Sequence, residues 1–478
     1  MSRLSRIKIK GISDDSRTCK RGDIFFAIHG PKVNGCAFIE EAVKKGAFAV
    51  VTGKKFKGRI KGIKVIRVSD PRIELSKAAS NFYKDPSKKI KVIGVTGTNG
   101  KTTITYLISD IFKKAGFETG IIGTICHKWK GKAIEAKNTT PGALELQRLL
   151  SRMNSDKVDY CAMEVSSHSL DQERVAGIDF RSAIFTNITG EHLDYHKTFA
   201  NYIRAKVKLF RTLNRRSQAI LNADDENFKK IKEGIAAPIV TYGIRNKADI
   251  RADDIKTGMA GMQFMLRAEA GSLKIESPLI GIFNIYNILA AAAAAMREGI
   301  PLAAIQGAVM DFKGAEGRLE RVDEEGDFKV FVDYAHTDNA LENVLGALRP
   351  TCANRLIVVF GCGGDRDTSK RPRMGNVASR LADFSIVTSD NPRSELPSAI
   401  TKEIEKGMDR KSGNYKVMLD RKSAINEAIS MAQTGDVVLI AGKGHERYQI
   451  VGDKILPFSD TETARQVLRG QKKCLVRV

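Results

Sequence analysis

The sequence predicts an α/β protein of three domains. A small N-terminal α/β domain is expected over residues 1–88. A central domain built on a parallel sheet with helices, of the P-loop mononucleotide-binding type, is expected over 89–313, and a Rossmann-like α/β domain over 314–478. Three observations predict it. The chain has 478 residues, and at roughly 100–200 residues per domain that is too long for one core. Apolar, strand-like runs alternate with helical patterns, the signature of a parallel sheet with crossover helices. A glycine-rich loop joins a strong strand to a strong helix near residue 97.

The first segment holds three short β-like runs, DIFFAIHG, GAFAVVTG and GIKVIRV, separated by glycines and basic residues. KDPSKK (Lys84 to Lys89) reads as a linker, with a proline and a charge cluster between two patterned regions. The middle segment opens on an apolar strand (Val92 to Val95). A helix follows the glycine loop, with Ile104, Leu107, Ile108 and Ile111 on one face. YCAMEV, SAIFTNI and QAILNAD are further strands of the same sheet. In the third segment KVFVDYAH, RLIVVFGCGG, FSIVTSD and DVVLIAGKG are apolar runs that end in small, polar or charged residues. Ligands of open α/β sheets bind at such carboxyl ends.

Composition excludes several classes. With 42% apolar and 28% charged residues the chain is that of a globular protein rather than a disordered one. No apolar run approaches the ~18–20 residues that cross a bilayer. The N-terminus is basic but has no apolar stretch after it, so a secretory signal is not expected and the cytoplasm is. Seven cysteines, an odd number with no CxxC pair, argue for free thiols rather than disulfides or a zinc knuckle. The net charge is +24, and residues 1–88 hold 21 Lys/Arg against 8 Asp/Glu, a surplus of +13. Seven cations and no anion fall between Lys54 and Arg67. Such a surface attracts polyanions. Only Phe56 is interleaved with these charges, where single-strand binding would need several stacking rings.

GVTGTNGKTT (Gly94 to Thr103) is the strongest motif. Glycines let a backbone approach phosphate oxygens, and successive N–H groups form an anion cradle. Lys101 would reach the β/γ-phosphates and the Thr102 hydroxyl would ligate Mg²⁺. The strict P-loop string is not met, because Val95 occupies its first glycine position. In MEVSSHSLDQERV, Glu164 ends a strand where it can hold a metal, with Ser166, Ser167 and His168 beside it. In TNITGEHLDYH, His192 is the candidate ligand of a second metal.

Together with these strings, NTTP (Asn138 to Pro141), GIFNIYN, GRLERV, DYAHT, GCGGDRDTSKRPRMG, DNPR (Asp390 to Arg393) and GKGHE stand in an order that resembles the Mur ligases, from DDSR (Asp14 to Arg17) onward. The resemblance implies an N-terminal UDP-substrate-binding domain, a central ATP-binding domain and a C-terminal amino-acid-binding domain. It implies an ATP-dependent amide ligase working through an acyl phosphate on UDP-MurNAc-L-Ala-D-Glu, with Mg²⁺ as cofactor. It further implies small-molecule substrates, a monomer, no membrane insertion and no nucleic-acid partner. Residue by residue, it implies that Thr98, Asn99, Gly100, Lys101, Thr102 and Thr103 hold the ATP phosphates. Asn287, Arg318, Asp333 and His336 contact the nucleotide from elsewhere. Thr102, Glu164 and His192 serve metals, and Lys206 joins them if carbamoylated, which turns a cation into a carboxylate-like group. Lys101, Glu164, His192 and Lys206 are the implied catalytic set. Ser16 would touch the uridine part, while Thr139, Thr140, Ser166, Gln172 and Arg174 would hold the muramoyl-dipeptide.

DNPR marks the relatives that take meso-diaminopimelate, whose distal end carries both a carboxylate and an ammonium. Arg393 can pair bidentately with that carboxylate. Asn391 and Glu446 would serve the amino group, with Asp390, Pro392, Arg366 and Gly442 around them. L-lysine, or another diamino acid, is the alternative substrate. An arginine there would repel the ammonium of a lysine. A basic, nucleic-acid-dependent ATPase is the alternative of another class, but no recognition-helix or RNP-like string is present. Two positions depart from the family pattern: Asp338-Asn339 replaces Pro-Asp after DYAHT, and Ser459 replaces an aspartate before Asp460.

Overall fold

The computed structural model describes residues 10–30, 33–322, 326–409 and 413–475, with side chains to 470. Three parallel-cored sheets follow one another along the chain, plus a two-stranded ribbon.

The first sheet has four parallel strands in sequence order, Gly11–Ser13, Asp23–Phe26, Ala49–Gly53 and Lys64–Val68. The basic run between the last two keeps Lys54, Lys55, Lys57, Arg59, Lys61 and Lys64 exposed. Phe56, Ile60 and Ile63 pin it to a small core with Ile39 and Val50. The expected linker is instead packed. Pro86 and Ser87 are buried, and the Ser87 hydroxyl accepts from the Asp179 amide. A proline-containing turn with a buried acceptor behaves as part of the core it touches.

The second sheet has eleven strands, with the expected parallel sheet at its centre and antiparallel additions at both edges. Seven strands, from Thr119–Ile122 across to Ile250–Gly258, run parallel, and antiparallel strands are added beyond both of these. Cys126–Trp129 and Lys132–Glu135 form a hairpin at one edge. Ile250–Gly258, Gly261–Ala268 and Gly271–Ser277 form a meander at the other. The reason is one-sided burial. Gly261–Ala268 alternates buried Met262, Phe264 and Leu266 with more exposed neighbours, as antiparallel strands with one wet face do. The parallel strands are buried on both faces. Helix Ile282–Arg297, whose alanines are buried, and helix Leu302–Asp311 cover the same core.

The third sheet places Lys329–Asp333, Val437–Ala441, Leu356–Phe360, Phe384–Val387 and Tyr415–Val417 parallel in that spatial order, with Glu320–Arg321 antiparallel at the edge. Among the described residues no helix is long and apolar enough to cross a membrane.

Candidate active site

The strand Lys91–Thr96 feeds the helix Lys101–Lys114 through Gly97 to Gly100. Gly100 sits at φ 89°, and a Cβ there would lie 2.5 Å from Asn287 Oδ1. Only glycine therefore lets the loop close against the helix Ile282–Arg297. The helix has no side-chain cap, which leaves its first N–H groups available to an anion. Lys101 Nζ donates to the carbonyls of Gly97 (3.0 Å) and Thr98 (2.7 Å), folding over the loop. Burial pushes its ammonium below the ordinary lysine range, an effect that Glu191 and Glu164 oppose.

Glu164, 1% exposed at the end of the strand Tyr160–Glu164, accepts from the Thr102 hydroxyl (3.0 Å), the Thr124 amide (2.8 Å) and the Thr124 hydroxyl (3.0 Å). The Arg318 guanidinium reaches Thr102 Oγ1 at 3.2 Å from the other side. Lys206, 1% exposed on the helix Phe199–Arg211, donates to the Gly97 carbonyl at 2.7 Å. Burial, helped by nearby Lys101, holds its amine well below the ordinary lysine range. His192 has a left-handed backbone (φ 56°) and lines the same cavity as the loop. Burial depresses the imidazole to about 4, so it is neutral near pH 7 and its nitrogen is a free ligand.

These groups line one cavity of about 470 Å³. All the residues expected to contact nucleotide or metal face it: Thr98 to Thr103, Glu164, His192, Lys206, Asn287, Arg318, Asp333 and His336. Asp333 is itself fixed by the amides of Leu319 (2.6 Å) and Ala335 (2.7 Å). Asn339, at a position that departs from the family pattern, accepts from the Asn99 amide at 3.3 Å and so touches the phosphate loop. Ser459 instead accepts from the Glu462 amide at the start of the last helix, while Asp460 is sealed in an ion pair with Arg421 (2.7 Å).

A second cavity of about 1070 Å³ adjoins the first. Thr139, Thr140, Ser166 and Arg174 line it from the middle sheet, and Arg366, Asp390, Asn391, Arg393, Gly442 and Glu446 from the third. Thr140 ties the former group together, donating to the Glu164 carbonyl (2.8 Å), while the Arg174 guanidinium reaches its own carbonyl (2.8 Å). Arg393 stands at φ 51°, with Nη1 on the Gly364 carbonyl at 2.8 Å and its half-buried guanidinium in the cavity.

Three of the expected contact residues line neither cavity. Ser16 lines neither cavity. It is 4% exposed, and its hydroxyl donates to Glu41 at 2.6 Å. Gln172 also lines neither and holds the Arg174 guanidinium at 3.0 and 2.7 Å. Pro392 is buried behind Asn391 and Arg393. Conversely, Glu191 and Thr124 were not singled out in the sequence, yet both line both cavities. Glu191 lies 3.8 Å from His192 and 3.5 Å from His336. Burial would raise its carboxyl, but His336, His192 and Lys101 outweigh burial and hold it far below the carboxylate range. Its signal was present: an acid directly before the candidate ligand in GEHLDYH. Thr124 offered none beyond a Gly-Thr at a strand end.

Comparison with known proteins gives a consistent picture. Residues 8–86 match the model of the Mur ligase family catalytic domain, 95–295 the Mur ligase middle domain, and 317–444 the Mur ligase glutamate ligase domain. The chain is 46% identical over 469 residues to the UDP-N-acetylmuramoyl-L-alanyl-D-glutamate--2,6-diaminopimelate ligase of Syntrophomonas wolfei, covering 98% of this chain and 96% of that protein. It is also 46% identical, over 467 residues, to the protein of the same name from Geobacillus kaustophilus, covering 96% and 95%. A solved structure of a ligase with that name superposes with a TM-score of 0.70 at 33% identity, covering 98% of this chain and 97% of that one. The MurF ligase of Thermotoga maritima in complex with ADP shares the fold, with a TM-score of 0.64 at 17% identity over 99% of both chains.

Proposed function

This chain belongs to the Mur ligase family, and from that premise we propose that it adds meso-diaminopimelate to UDP-N-acetylmuramoyl-L-alanyl-D-glutamate in cytoplasmic peptidoglycan precursor synthesis, using ATP. The observation that carries this reading is the shared wall between the two cavities. Thr124, Thr139, Ser166, Glu191, His192 and His336 face both, so a phosphate donor on one side can meet an acid on the other.

The chemistry needs that meeting. A carboxylate is a poor electrophile. Its oxygen attacks the γ-phosphorus of ATP, ADP leaves, and the acyl phosphate so formed is attacked by the incoming amine. Phosphate then departs and the amine loses a proton. Two anions must approach, so cations are required. Lys101, folded over the loop, supplies one; Arg318, reaching Thr102 from across the cavity, supplies another. Thr102 and Glu164 offer hard oxygen donors 3.0 Å apart beneath the loop, which suits Mg²⁺. His192 presents a neutral nitrogen for a second ion. Bound Mg²⁺ would neutralise charge on the transferring phosphoryl group. Lys206, an amine held toward its neutral form by burial, is the form that reacts with CO₂. The carbamate would add a negative oxygen group to the same cavity. Arg174, oriented by Gln172, offers a planar fork to an anionic part of the UDP substrate. Arg393 offers the same fork to the distal carboxylate of the amino acid.

The test is ADP release by the purified protein. It should require both the UDP-linked dipeptide and meso-diaminopimelate, with L-lysine a poor substitute. Turnover without the dipeptide, or a preference for lysine, would count against the reading.

A further inference from the structure

One buried cation at the amino-acid end has no part in the steps above. Lys443 is 0% exposed and lines neither cavity. The strand Val437–Ala441 ends into Gly442 (φ 118°) and Gly444 (φ 53°). A Cβ on Gly444 would strike the Gly317 carbonyl and Tyr334, so the turn that drives Lys443 inward is fixed. Inside, Lys443 Nζ lies 3.1 Å from Asn391 Oδ1 and 2.9 Å from Glu446 Oε2. A buried ammonium demands partners, and both of these belong to the amino-acid subsite.

Asn391 Oδ1 accepts from Lys443 and from the Ile450 amide (2.9 Å), which fills both lone pairs. Asn391 Nδ2 donates one hydrogen to Glu446 Oε2 at 2.9 Å. The amide's remaining capacity is therefore a single N–H. Glu446 Oε2 is filled by Lys443 and Asn391, which leaves Oε1, with only the Tyr334 hydroxyl at 3.5 Å, as an open acceptor. Flipping the amide would set its NH₂ against Lys443 and the Ile450 N–H, and its oxygen against the Glu446 carboxylate. The network thus allows one orientation.

We propose that Lys443 is a positioning residue that fixes the polarity of the amino-acid subsite, so that Asn391 donates to the distal carboxylate beside Arg393 and its oxygen is withheld from the ammonium, which Glu446 accepts from. This rests on the functional reading above and departs from the expectation that Asn391 and Glu446 both serve the amino group. It also gives a reason why a long cation is kept dry behind a site that must tell two ends of one zwitterion apart.

Lys443→Met keeps the stem and removes the charge. The KM for meso-diaminopimelate should rise about 10- to 100-fold, the range for losing a hydrogen bond to a charged group. The KM values for ATP and for the UDP-linked dipeptide should stay within about twofold, and in an Asn391→Ala, Glu446→Gln background the same change should add little. Equal increases in all three KM values, or full additivity, would overturn the proposal. If Lys443→Met does not fold, Asn391→Asp decides. It replaces the free N–H by an oxygen, so use of diaminopimelate should fall about 100-fold and use of L-lysine far less. Undiminished use of diaminopimelate would show that Asn391 presents oxygen, and would refute the wiring. A wild-type protein that turns over without diaminopimelate refutes the functional reading and this inference with it. A wild type that needs diaminopimelate, matched by an unchanged Lys443→Met, refutes the inference alone.

Discussion

Glu191 Oε1 lies 3.5 Å from His336 Nε2, so a carboxylate on the loop after the strand Phe180–Phe185 meets an imidazole on the loop after the strand Lys329–Asp333. Two sheets are thereby pinned at the wall their cavities share. Glu191 also stands beside His192 and contributes to the field that opposes the burial of Lys101. Replacing it by glutamine keeps the shape and removes the charge. Glu191→Gln should lower kcat/KM about tenfold, the low end for a charge-assisted contact because His336 is partly exposed. The KM values for ATP and the UDP-linked dipeptide should rise together, since the residue faces both cavities. Steady-state kinetics with each substrate varied in turn would show it, and an effect on ATP alone would sink the linking role.

Arg393 should act on one substrate only. Its guanidinium lies in the larger cavity, and neither Lys101 nor the glycine loop lines that cavity. Arg393→Lys retains the charge but loses the planar fork, so the KM for meso-diaminopimelate should increase about 10- to 100-fold. The ATP dissociation constant, measured by calorimetry, should not move. Comparable losses in both would remove the role assigned to the fork.

Much of this was legible in the sequence because it lies at the ends of buried parallel strands. VIGV, YCAME, KVFVD and DVVLIA announce themselves by uninterrupted apolar runs, and the chemistry sits in the residues just after them. The antiparallel edges were missed because their alternation is diluted by charged residues such as Lys256 and Arg267 on the wet face. Glu191 was overlooked because its importance comes from His336, which is 145 positions further along the chain. The setting of Ser16 was hidden for a similar reason. Its string is specific, but only the fold reveals that Glu41 takes its hydroxyl. The wiring of Lys443, Asn391 and Glu446 is likewise invisible until hydrogen bonds can be counted.

Lys206 makes a chemical prediction. Its amine is buried against the Gly97 carbonyl and held well below the usual lysine range, which favours the nucleophilic form near neutral pH. Protein equilibrated with ¹³C-labelled CO₂ should show a carbamate carbon resonance that is absent from Lys206→Arg. That variant should lose about 10- to 100-fold in activity, as when a group supporting a metal is removed. Full activity in CO₂-stripped buffer with no carbamate signal would refute the modification.

Glu298 sets an acid limit on stability rather than activity. Its side chain is 1% exposed at the end of the helix Ile282–Arg297, where it accepts from Lys91 (2.9 Å), Arg181 (2.5 Å) and the Tyr160 hydroxyl (2.9 Å). Burial alone would raise its carboxyl, but Lys91, Arg181 and Tyr160 together reverse the sign and lower it below the ordinary glutamate value of 4.5. A carboxyl with a lowered folded-state pKa binds its proton more readily when unfolded. Its stabilisation is therefore complete above the unfolded value, near 4.5, and drains away as the pH falls through the lower folded one. Glu298→Gln should cost about 1–3 kcal/mol at pH 7, below the range for a fully buried pair, because Lys91 and Arg181 are half-exposed and can rehydrate. Thermal unfolding of both proteins from pH 7 down to pH 3 would test this. The gap in Tm should hold to about pH 5 and then narrow. A gap that widens with acid would mean that Glu298 is protonated in the folded protein, and that the two cations do not outweigh its burial.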